Sequence, residues 1–146
     1  MGPGDLSEAV FWCAYAPWAA WLAWHDLGSR RLPDHLTLPA VPVAALLSLH
    51  DAAFAGFLAG AALWSGAYAA VGVAKPGAMG GGDVKLALAL GGIAGWSAGI
   101  PGTLAAMIAA GLLTAAAGAI ARKRAVPHGP SMLVACAGVA LGGPMA

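Results

Sequence analysis

Apolar residues fall in long blocks along this chain, and polar residues are confined to the short seams between them. Charges and Gly/Pro clusters mark off six apolar stretches: roughly 8–25, 36–50, 52–74, 84–98, 101–121 and 130–145. A helix crossing a bilayer needs about 20 mostly apolar residues, within a range of about 17–25. Residues 86–121 carry no charge, which is too long for one pass, and the SAGIPG segment at 97–102 supplies the natural turn. The second stretch is short and contains Pro39 and Pro42. It is expected to be kinked or partly interfacial. The pattern predicts an all-α membrane protein, a bundle of about six transmembrane helices in a single domain over residues 1–146.

Composition strengthens the membrane assignment. Of 146 residues, 60% are hydrophobic and only 9% charged, with a mean hydropathy of +0.80. Soluble domains are about 45–50% apolar and about 25% charged, so this chain has too little polar surface to coat a particle in water. The lipid bilayer is its first partner. With a net charge of +1 and no basic tract, nothing suggests nucleic acid, and no nucleic-acid partner is expected. Cys13 and Cys136 stand far apart in apolar stretches, with no CxxC pair, and are expected to be buried free thiols. The opening MGPGDLSEAV lacks the basic region of a signal peptide, so the first apolar stretch is expected to stay in the mature chain.

Charge also sets sidedness. The basic residues are Arg30, Arg31, Lys75, Lys85, Arg122, Lys123 and Arg124, and all fall in or beside the first, third and fifth loops of a six-helix layout. Short cytoplasmic loops collect Lys and Arg. The odd loops are therefore expected in the cytoplasm and both termini outside. Gly56 and Gly60 form a GxxxG pair, which is expected to serve close packing within the chain rather than dimerisation. Oligomeric state is not readable from the residues. Trp12, Trp18, Trp21 and Trp24 suit interfacial belts or packing.

The chemistry rests on the acids. Asp5, Glu8 and Asp51 lie on the predicted outer side, while Asp26, Asp34 and Asp83 lie on the cytoplasmic side. An embedded acid costs at least about 2.5–3.5 kcal/mol on insertion scales, which marks it as functional by default. Asp26 ends the first stretch and Asp83 opens the fourth, so both reach one depth on one face. Two carboxylates brought together cannot both ionise easily, which leaves one base and one proton donor. Such a pair can activate water and protonate a leaving amine. The residues alone leave open whether the two meet or serve separate structural roles.

Asp34 follows Pro33 and reads as a helix N-cap. Lys85 reads as an interfacial anchor for the fourth helix rather than as an ion-pair partner of Asp83. Gly80-Gly81-Gly82 is neither a P-loop nor a dinucleotide fingerprint. It is either a plain loop or a narrow backbone against which an extended substrate can lie. The histidines His25, His35, His50 and His128 show no ligand spacing, so no metal is expected.

Together DLGSRRLPDHLTLP (26–39) and GAMGGGDVKL (77–86) resemble the type IV prepilin peptidases, membrane aspartic proteases of the GxGD class. That family's first motif, D-x-x-x-x-x-[IL]-P-[ND]-x-[LI]-T, is matched by Asp26 through Thr37, and its GxGD by Gly80 through Asp83. VPHGPSMLVACAG (126–138) is similar to the segment before its last helix. The resemblance implies Asp26 and Asp83 as catalytic residues, Gly80, Gly81 and Gly82 as a substrate-binding loop, and no cofactor. It implies removal of the basic leader from pilin-like precursors by a multi-pass plasma-membrane enzyme whose active site faces the cytoplasm. Larger members carry two CxxC pairs associated with N-methylation. Those are not seen here, so the resemblance is to the short, peptidase-only form, with methyltransferase activity not expected. A proton- or ion-coupled transporter using the same acids is the rival reading, and a non-enzymatic assembly subunit is another. Acids near helix ends on one side, rather than at the bilayer midplane, favour the peptidase.

Overall fold

The computed structural model describes residues 3–50, 53–123 and 125–143. Asp51, Arg124 and the side chain of Asp5 lie outside what is described. The elements are α1 (Pro3–Ser29), α2 (Asp34–Thr37), α3 (Ala40–His50), α4 (Phe54–Ala74), α5 (Gly81–Ala121) and α6 (Gly129–Gly142), with no strand among the described residues. Among them, α4 and α5 are long and apolar enough to cross a membrane, and α6 is a shorter apolar helix.

The second predicted stretch does not form one helix. It breaks into α2 and α3 at Leu38 and Pro39, where Pro39 has no N–H to continue the ladder. With 11 residues, α3 is about 17 Å long, well short of the roughly 30 Å hydrocarbon layer.

The opposite happens at the fourth and fifth stretches, which lie in the single element α5. Helical geometry is lost inside it at Ala98 (φ −143°) and Gly99 (φ 63°), with Pro101 just beyond. Gly82 and Thr114 line the same cavity, yet on a straight helix 32 residues would separate them by about 48 Å. The limbs 81–97 and 100–121 must therefore double back on each other, and the glycine at positive φ permits the reversal. The turn expected at SAGIPG is where the chain reverses.

The first limb of α5 lies at the centre of the fold. Leu86, Ala87, Leu90, Ala94 and Trp96 are all buried. Against it α4 comes very close. A Cβ on Gly60 would collide with the Gly91 carbonyl oxygen, and one on Gly95 with that of Gly56. The Gly56/Gly60 pair thus packs within the chain, as the sequence leads one to expect, and meets a second such pair, Gly91 and Gly95. Next to this crossing, α1 is tied to α6 by the Tyr15 hydroxyl, which donates to the Leu133 carbonyl at 2.8 Å. Phe11 packs edge-on against Trp96, with ring centroids 5.6 Å apart.

The exterior is apolar: Trp24, Val73 and Ile120 are each at least 80% exposed, as suits helices facing lipid rather than water. The tryptophans divide between the two roles, with Trp64 and Trp96 in the core and Trp21 and Trp24 outside. Cys136 is buried as expected, but Cys13 is exposed, on a side of α1 turned away from the core.

Candidate active site

Asp26 sits in the last full turn of α1, which closes when the N–H of Arg30 bonds the Asp26 carbonyl at 2.9 Å. Arg30 takes the left-handed conformation (φ 52°), a usual way to end a helix, and turns the chain toward Leu32. The Asp26 carboxylate is directed inward and is only 6% exposed. Its Oδ2 accepts the backbone N–H of Gly129 at 3.0 Å. Gly129 is the first residue of α6, so this N–H is one of the donors that a helix start leaves without an internal partner. Asp26 therefore caps a helix from another part of the chain, where the helix dipole favours its negative charge.

Asp83 lies in the first turn of α5. The helix starts earlier than a three-glycine loop would allow: Gly80 is its N-cap, while Gly81 and Gly82 are already helical. The expected loop is thus reduced to the approach to Gly80. The glycines differ in their surroundings. A Cβ on Gly82 would stand 3.1 Å from Leu32 Cβ, one on Gly80 would stand 3.2 Å from the Asp83 Oδ2, and one on Gly81 would meet nothing within 4 Å. The narrow backbone at Gly82 is filled by this chain's own Leu32, and open space is left only at Gly81.

Both aspartates line one cavity of about 1090 Å³, together with Gly80, Gly81 and Gly82. Arg30, Arg31 and Lys123 stand around the same cavity, so charge of both signs is concentrated at this end of the bundle. Among the described residues no group of three or more His, Cys, Asp or Glu side chains converges as metal ligands would.

Two expectations at neighbouring residues need correction. Asp34 is not an N-cap: Pro33 occupies that position, in an extended conformation. Lys85 is not a free interfacial anchor, since its Nζ reaches both carboxylate oxygens of Asp34 at 2.7 Å. The proline pushes Asp34 one place into the helix, where its side chain faces α5. Lys85 is thereby held off Asp83.

Sequence reasoning missed a second set of residues. His128, the N-cap of α6, lines the cavity with Thr114. Its Nε2 lies 2.7 Å from the Tyr68 hydroxyl and its Nδ1 lies 2.6 Å from Thr114 Oγ1. Burial lowers its pKa and favours the neutral ring. The only sequence signal was the VPHGPS segment, where the histidine shows no spacing to Tyr68 or Thr114.

A helical chain with an apolar exterior and two aspartates in one cavity at its charged end has the character of a membrane protein. The chain belongs to the type IV leader peptidase family, whose model matches residues 13–115. That span includes Asp26, Asp83, Tyr68 and Thr114 and ends before His128 and Gly129. Membership implies a protease. No curated protein and no solved structure matches the chain.

Proposed function

We propose that residues 1–146 act as one membrane aspartic endopeptidase that removes the basic leader of pilin-like precursors at the cytoplasmic face. The observation that carries this reading is the single cavity into which α1 brings Asp26 and α5 brings Asp83. With one proton shared between the two acids, the ionised carboxylate takes a proton from water as its oxygen bonds the scissile carbonyl carbon. The protonated carboxyl then gives its proton to the departing amine as the C–N bond breaks. No cofactor enters this scheme.

The peptide must reach the acids extended, because a helical peptide bond is shielded by its own hydrogen bonds. Gly81 leaves room for a substrate backbone beside Asp83, while the space at Gly80 is taken by the Asp83 carboxylate itself. Gly82 retains only an indirect part, through Leu32. Sidedness is supported by the basic residues: Arg30, Arg31, Lys85 and Lys123 all stand beside this cavity or on elements that line it. The positive-inside rule then puts the site in the cytoplasm and the termini outside. Six passes follow if α1, the broken α2–α3 pair, α4, the two limbs of α5 and α6 each count as one.

The test is cleavage of a precursor with a basic leader by the protein in lipid vesicles. Asp26→Asn and Asp83→Asn should each reduce cleavage by about 10²–10⁴-fold or more, with both variants still inserted in the membrane. Full processing by either variant would sink the two-aspartate assignment. Ion flux with every precursor intact would replace it with transport.

A further inference from the structure

Asp26 is also held through the wall of the cavity. Tyr68 bonds His128, and the residue after His128 donates its N–H to Asp26. The proton positions along this chain follow from the partners. Thr114 has one hydroxyl hydrogen, and it goes to the Ala110 carbonyl at 2.9 Å. With that hydrogen so assigned, Thr114 Oγ1 accepts from His128 Nδ1–H. That leaves Nε2 bare, and it accepts the Tyr68 O–H.

His128 does not cap its own helix with its side chain. Its ring instead fastens the start of α6 to α4, through Tyr68, and to the second limb of α5, through Thr114. The N–H that holds Asp26 is one residue further on. Gly129 is buried, so its N–H has the Asp26 carboxylate as its partner in place of water.

From this geometry we infer that His128 is a positioning residue, whose doubly bonded ring holds the Gly129 N–H on Asp26 and so favours the carboxylate form of that acid. The inference rests on the peptidase reading above for its catalytic consequence, but not for its electrostatic one. Among the described residues, the charged or titratable groups around the site besides His128 are Asp83, Asp34 (paired with Lys85), Arg30, Arg31, Lys123 and Tyr68. None of these donates to the Asp26 carboxylate; Gly129 does.

The experiment compares wild type with His128→Ala, Tyr68→Phe, Thr114→Val and Thr114→Ser, as full chains in lipid vesicles. Cleavage of a basic-leader precursor is followed against pH. In His128→Ala, kcat per folded molecule should fall about tenfold to a hundredfold with KM little changed. The acid limb of the profile should move up by about one pH unit as the carboxylate loses its donor. Tyr68→Phe and Thr114→Val should show smaller shifts in the same direction, and Thr114→Ser should restore the wild-type profile. A purely structural role would lower the folded fraction and leave the profile of what remains unmoved, which would overturn the inference.

An infrared titration, taking the difference between each protein and its Asp26→Asn counterpart, reads the same carboxyl without any substrate. Its midpoint should also rise in His128→Ala, and an unchanged midpoint would overturn the inference. If wild type cleaves nothing, the peptidase reading falls, and the infrared midpoint still decides what His128 does.

Discussion

At Gly129 any other residue would place a Cβ only 2.7 Å from the Asp26 Oδ2, closer than carbon and oxygen pack. The glycine is therefore required by the acid beside it rather than by its own backbone. Gly129→Ala should displace the Asp26 carboxylate and cut cleavage about a hundredfold with little change in the thermal unfolding midpoint. Wild-type cleavage in that variant would mean that the Asp26 position is not critical. Asp26 and Asp83 themselves were legible in the sequence, since an acid ending or opening an apolar stretch stands out against a background 9% charged. Gly129 and His128 were not, because their partners lie 103 and 60 residues away and no local pattern encodes such a contact. The Lys85–Asp34 pair is half-exposed at both partners. A surface ion pair of that kind contributes about 0–1 kcal/mol, so its main effect is to keep the lysine away from Asp83.

Between elements, the crossing of α4 with α5 depends on what is missing from the glycines. In a bilayer, apolar side chains gain little from leaving lipid, so close backbone contact carries more of the association. Gly60→Ala and Gly91→Ala would each drive a methyl into the carbonyl of the facing helix. Each should destabilise the protein by about 1–3 kcal/mol or more, as overpacking does. Gly66 and Gly111 meet nothing within 4 Å, and alanine there should stabilise by about 0.5–1 kcal/mol through helix preference. Thermal unfolding of the four variants in one detergent checks both signs, and equal shifts would refute the distinction. The GxxxG pair in α4 was legible by spacing. Its partner pair in α5 lay within an apolar run whose facing helix the sequence does not name. The break between α2 and α3 was visible as Pro39, but not its outcome as two short helices, because whether a proline kinks or ends a helix depends on what packs beside it.

Taken as a whole, the molecule has a charged end and an apolar body. A probe at the cavity mouth tests which way it faces. Ala78 is exposed there, and Ala78→Cys in a Cys13→Ser background should react with a membrane-impermeant maleimide only when the cytoplasmic face is open to it. Labelling from the outer face of intact cells would reverse the assigned orientation. Helicity, the apolar blocks, the reversal near residue 99 and the two acids all follow from local chemistry: how long a run is, where charge interrupts it, and where glycine or proline bends it. Tertiary structure alone decided which Gly meets which carbonyl, that Lys85 takes Asp34, that Leu32 fills the space at Gly82, and that α6 brings its first N–H to Asp26. Those are contacts between residues distant in the chain. They depend on how the helices rotate and slide against one another, which apolar stretches of nearly uniform composition do not specify.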